Sequence, residues 1–135
     1  MGQDTYTDLG YGVSLEIIPE NMDLIIKAWQ SDEVSTYFSD YDEALLTEDY
    51  TQTEFEDELK VRMNRVNMNK VYFFRSAVCV DARNISRRDN PRLFNNLCVS
   101  LDELVNNFKE GKKKFLELGF KEEDIQLKYM FEDSF

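Results

Sequence analysis

The chain has no histidine, two cysteines, two prolines and five glycines in 135 residues. Without histidine, a Ser-His-Asp or Cys-His catalytic arrangement and a His-ligated metal site are excluded. Cys79 and Cys98 cannot alone complete a tetrahedral zinc site, and their spacing is far from C-x-x-C. Both sit among apolar neighbours, Ala77-Val78-Cys79-Val80 and Leu97-Cys98-Val99. They read as buried thiols, with a disulfide between neighbouring strands as the alternative, and they suit a reducing cytoplasm. So little proline and glycine argues against a disordered or fibrous chain. No apolar run approaches the roughly 18 residues of a membrane span. Met1 to Gly10 carries Asp4 and Asp8 and no basic residue, unlike a secretory signal. There is no Walker-type loop and no G-x-G-x-x-G, and Gly10-Tyr11-Gly12 stands before a strand. No cofactor is expected.

What is present suits one folded domain spanning residues 1–135. Hydrophobic residues make up 42% and aromatics 13%, enough for a single core. Tyr11 to Ile17 alternates large apolar with small or polar residues, which predicts a half-buried strand. Pro19 suits the first turn of a helix in which Met22, Ile25, Ile26 and Trp29 share a face. Residues 31–52 have no clear period, and a connection of that length is often functional. Thr53 with Glu56 reads as a capping box opening a second helix, with Phe55, Leu59, Met63 and Val66 as its buried stripe. Val71 to Val80 reads as a long central strand, Asn84 to Pro91 as a polar loop, and Leu93 to Val99 as a shorter strand. Ser100 and Glu103 cap a last helix carrying Leu101, Leu104, Val105, Phe108, Phe115 and Leu118 on one face, ended by Gly119. Ile125, Leu127, Tyr129 and Phe131 then alternate in a closing strand. The expected fold is α+β, with a four-stranded, mainly antiparallel sheet and helices on one face. Its order would be the ferredoxin-like β-α-β-β-α-β, with an acidic insertion in the first crossover. Another four-stranded α+β arrangement is the alternative.

Charge is the distinctive feature. Sixteen basic and 27 acidic residues give a net charge of −11. Residues 1–59 hold sixteen of the carboxylates and one basic residue, Lys27. Residues 31–59 hold eleven carboxylates and no Lys or Arg: Asp32, Glu33, Asp40, Asp42, Glu43, Glu48, Asp49, Glu54, Glu56, Asp57 and Glu58. Tyr37, Phe38, Tyr41, Tyr50 and Phe55 are interleaved with them. The next stretch, 60–92, is basic, with Lys60, Arg62, Arg65, Lys70, Arg75, Arg83, Arg87, Arg88 and Arg92 against Asp81 and Asp89.

Carboxylates three and four residues apart on a helix lie about 5–6 Å apart. Such a row imitates backbone phosphates, which advance about 3.4 Å per nucleotide along a strand. The expectation is a non-catalytic, acidic inhibitor that occupies the nucleic-acid groove of a basic partner protein, itself a nucleic-acid-binding enzyme or complex. By an analogy of charge and size, phage and mobile-element anti-restriction and anti-CRISPR inhibitors act in this way. The expected contact residues are Asp40, Asp42, Glu43, Glu48, Asp49, Glu54, Asp57 and Glu58, with Tyr37, Tyr41 and Tyr50 as anchors. An immunity protein or antitoxin masking a toxin's basic site needs the same surface. A solvated acidic face is the plainer reading.

Other chemistries fit less well. Asp40, Asp42 and Glu43 group oxygens, but an EF-hand loop begun at Asp40 fails at Ala44, Leu45 and Thr51. No metal is expected. A small RNA-binding or enzymatic domain using Arg75 to Arg92 is the competing class. The aromatic core motif of an RNA-recognition sheet is missing, and the net charge opposes direct nucleic-acid binding. Carboxylate pairs are too many for any one to mark a hydrolytic site. No membrane partner is expected.

Overall fold

A computed structural model describes residues 4–38, 50–65, 69–81 and 99–134. The elements, in order, are strand β1 (Asp4–Glu16), helix α1 (Met22–Gln30), strand β2 (Ser35–Phe38), helix α2 (Gln52–Met63), strand β3 (Lys70–Asp81), helix α3 (Leu101–Leu118) and strand β4 (Gln126–Ser134). Short 3-10 turns at Pro19–Asn21 and Glu122–Asp124 lead into α1 and β4. The strands form one antiparallel sheet in the order β2-β3-β1-β4. The protein is therefore α+β. Among the described residues no helix is long and apolar enough to cross a membrane.

Register decides what each face carries, because cross-strand partners point the same way. Val13 sits opposite Phe73, Leu15 opposite Val71, and Phe38 also opposite Val71. This face packs on the helices through a core that includes Ile17, Ile25, Ala28, Phe55, Leu59, Phe115 and Phe120. The ring of Trp29 stacks on Phe55 at 4.2 Å, nearly parallel. Each fully buried Phe or Leu contributes about 1.5–3 kcal/mol. Gly111 is buried where α3 meets the sheet, and a Cβ there would make ordinary contact with the Tyr11 ring at 3.4 Å and with Cδ of Arg75 at 3.7 Å.

A bulge breaks the β1–β3 register between Leu9 and Gly10: Gly10 pairs with Ser76 and Leu9 with Val78, leaving Ala77 extra. A Cβ on Gly10 would lie 1.9 Å from the Arg75 carbonyl oxygen, so the close approach needs glycine. The carbonyl of Ala77 accepts a hydrogen bond from Nδ2 of Asn107 on α3 at 3.1 Å. Beyond the bulge the phase of β3 reverses. Val78 turns toward the helices and is buried, and Cys79 turns to the open face and is exposed. The expected burial of Cys79 is thereby overturned, while Cys98 lies outside the described residues.

Other expectations are corrected in the same way. β2 lies within the stretch read as aperiodic, so α2 and its carboxylates follow β2 rather than interrupting the first crossover. β1 begins at Asp4, and the expected strand from Leu93 falls outside the described residues except Val99, which is not in a strand. The N-cap of α2 is Thr51, not Thr53: its hydroxyl accepts from the Glu54 N–H, and Glu54 accepts from the Thr51 N–H. The same T-x-x-E spacing recurs two residues earlier, where the backbone is extended and can cap. Ser100 and Gly119 stand where the sequence puts them, Gly119 with φ of 108°. On α3, Leu101 and Val105 are exposed, and on β4 so are Leu127 and Tyr129. α3 packs over β3 and β1, and Leu127 and Tyr129 of β4 stay exposed on that side.

Candidate acidic interface

The described part of the acidic segment is built on the turn before β2 and on α2. The turn carries Asp32, exposed, and Glu33, half-buried. Glu33 Oε2 accepts from Arg75 Nη1 at 2.6 Å, and Glu33 Oε1 lies 3.6 Å from the Lys114 ammonium. The same Arg75 nitrogen donates to the Glu33 carbonyl at 2.9 Å. This links the turn to the centre of the sheet and to α3. Arg75 shares the helix-side face with its register partner Tyr11. It is therefore not part of an open basic surface. Arg83, Arg87, Arg88 and Arg92 lie outside the described residues.

Helix α2 carries four of the carboxylates. Glu54 closes the capping box, accepting from the Thr51 N–H at 3.1 Å, and remains exposed. Its charge favours the positive end of the helix dipole. Glu56 accepts weakly from Gln52 at 3.4 Å. Asp57 is exposed on the surface. Glu58 is half-buried and accepts from Arg62 Nε at 3.0 Å. The Arg62 side chain is 1% exposed and lies over the Phe38 ring, 3.6 Å from its centroid. Sequence reading grouped Arg62 with the basic stretch 60–92 without singling out its burial. The available signal was its place between Leu59 and Met63, on the apolar stripe of α2.

Two of the six described carboxylates, Glu33 and Glu58, are thus neutralised by basic residues downstream. The expectation of an unpaired acidic row fails at Glu58, the one of these two among the proposed contacts, while Glu54 and Asp57 stay on the surface, three positions apart. The tyrosine anchors diverge. Tyr50 packs against the core beside α2. Tyr37 lies in register with Tyr72, on the face away from the helices. Asp40, Tyr41, Asp42, Glu43, Glu48 and Asp49 lie outside the described residues.

On that open face is a hollow of about 370 Å³, lined by Tyr37, Tyr72, Phe74, Met130, Lys128 and Asp124 among others. Sequence reading missed it, since it depends on β2 pairing with β3. Among the described residues, no group of three or more His, Cys, Asp or Glu is arranged to hold a metal ion. Away from both features, Lys112 and Glu122 pair at 2.7 Å. The hydrogen bond and the charge of Glu122 raise the Lys112 pKa, and the same contact lowers that of Glu122. No family model matches the chain, and no curated protein or solved structure is detectably similar to it.

Proposed function

We propose that the protein is a non-catalytic interaction module whose acidic segment binds a basic surface on a partner protein, of the kind that otherwise holds nucleic acid. The observation that carries this is the helix α2, which keeps Glu54 and Asp57 exposed on its surface. It adjoins a stretch, 31–59, with eleven carboxylates and no Lys or Arg. Two of those carboxylates anchor the segment to the fold through Arg62 and Arg75. That supports a division of labour in which some acids fix the segment and others present charge. Capture would be steered by charge and weakened by salt. An antitoxin or immunity role uses the same surface, and the identity of the captured protein separates the two. We also read the strand order as a ferredoxin-like sheet in which α2 is an additional helix between β2 and β3.

The test is capture of a partner from host lysate by the intact protein, with two charge-reversed variants. Asp40→Lys/Asp42→Lys/Glu43→Lys and Glu54→Lys/Asp57→Lys should each abolish capture while the far-ultraviolet circular dichroism is unchanged. At about 1 M salt the screening length falls to about 3 Å, and recovery should collapse. Undiminished recovery of the same partner at that salt, or from both variants, sinks the reading.

A further inference from the structure

The far edge of the sheet leaves an exposed apolar surface among the described residues. β4 is a nine-residue edge strand paired on one side only, with β1, among the described residues. The opposite edge, β2, has four residues. A long edge presents a row of unpaired N–H and C=O groups, a template for another strand. The side chains beside it are apolar and uncovered. Tyr129 is 70% exposed and Leu127 61%, both on the helix-bearing face, in register with Leu9 and Tyr11. The adjoining flank of α3 carries exposed Leu101, Val105 and Leu116 with Phe108, bordered by Lys109, Lys112 and Lys113, beside the stripe that enters the core. Tyr11 meets Phe108 edge-on at the base of this flank.

We infer that β4 is a homodimer interface, in which two copies join antiparallel through their β4 edges into one eight-stranded sheet. Self-pairing fits this edge for three reasons. An antiparallel twofold normal to the sheet keeps the helix-bearing faces of both copies on the same side. Continuity of the pleat then requires odd positions to meet odd positions. Centred on Tyr129, the register sets the two tyrosines side by side, about 4.5–5.5 Å apart at Cβ, with each Leu127 two positions away. Second, the exposed flanks of the two α3 helices face each other across the joined strands. Leu127 and Tyr129 of both copies fill the floor of that slot, so each copy supplies what the other leaves uncovered. Third, residues 99–134, which include all of β4, hold six lysines and nine carboxylates and are far less acidic than residues 31–59 with eleven carboxylates and no base. Two chains of net charge −11 meet most easily through this less acidic face, with the acidic segments held apart. The interface is isologous, so it closes at two copies.

The test is light scattering after size exclusion on the intact protein, from about 1 to 100 µM, together with sedimentation velocity. The wild type should give twice the 16.0 kDa chain mass at the upper concentrations. Leu127→Lys/Tyr129→Lys alters two exposed side chains, so it should keep the wild-type circular dichroism and thermal midpoint of a folded monomer yet run at the chain mass throughout. Monomeric wild type at 100 µM overturns the inference. So does a dimer that survives Leu127→Lys/Tyr129→Lys, or one that is lost instead in Glu54→Lys/Asp57→Lys, which would place the contact on the acidic side. A dimer confirmed here with no partner captured by the acidic segment would leave this inference standing and remove the other.

Discussion

Replacing Arg62 by alanine should cost the fold about 3 kcal/mol. The guanidinium is 1% exposed, 3.0 Å from Glu58 Oε1 and 3.6 Å from the centroid of the Phe38 ring. Removing one member of a buried ion pair typically costs about 3–5 kcal/mol, since the other charge is left without its partner. Here Glu58 is 25% exposed, so water solvates it in part and the lower end applies. The cation–ring contact adds about 1–2 kcal/mol when desolvated, and part of that is already counted in the pair. For a chain of this size, about 3 kcal/mol corresponds to a fall in thermal midpoint of roughly 10 °C. The location matters more than the total. Phe38 ends β2, and Arg62 lies near the end of α2, so the contact ties together the elements on either side of the acidic connection. Urea unfolding followed by circular dichroism measures the loss, with Arg62→Lys as companion. Lysine keeps the charge but not the planar stacking and fork geometry, and should recover less than half. A loss below about 1 kcal/mol for Arg62→Ala would refute the reasoning, because the contact would then be worth no more than an exposed surface pair.

Three further outcomes are expected. Gly10→Ala should leave little folded protein on expression, since its Cβ would fall 1.9 Å from a main-chain oxygen with no flexible side chain to yield; a soluble variant with native circular dichroism would contradict the bulge geometry. Thr51→Ala should lower stability by about 1 kcal/mol through loss of the α2 cap, read by chemical denaturation, whereas Thr53→Ala should be nearly neutral. By nuclear magnetic resonance titration, the Glu122 carboxyl should titrate below the ordinary glutamate range and Lys112 above the ordinary lysine range. The lowered carboxyl contributes stability that is present above the unfolded-state pKa of glutamate and lost as pH falls through the folded value. The raised amine contributes below the unfolded-state pKa of lysine and loses its part as pH rises through the folded value. Glu122→Gln should return Lys112 to its ordinary range.

Local signals in the sequence were the most legible. The Ser100 cap, the Gly119 terminator and the apolar face of α1 follow from chemistry within a few residues, and each stands where the spacing puts it. What depended on distant partners was not legible. β2 is four residues of mixed polarity and becomes a strand because β3 pairs with it. Leu127 and Tyr129 alternate as a buried strand does, yet α3 sits over other strands, so their periodicity marks a face and not its burial. The seat of Arg62 over an aromatic ring was not legible, because no local pattern announces a ring from another element. For the acidic segment, composition located the charge, but only tertiary placement separated Glu33 and Glu58, held by Arg75 and Arg62, from Asp57 at the surface.

The extra residue in β3 makes that strand behave as two reading frames joined at Ala77. Upstream, odd numbers face the helices; downstream, even numbers do. Deleting Ala77 would therefore shorten the chain by one residue and restore unbroken alternation, with Val78 still toward the helices and Cys79 still on the open face, whereas a deletion elsewhere in β3 would invert the residues on one side of it. Losing Ala77 would remove the carbonyl that Asn107 grips. A neighbouring substitution can be absorbed by repacking, but a frame change cannot. Tolerance to single-residue deletion in β3 should therefore be greatest at this one point, where the frame is kept and the loss is the Asn107 contact.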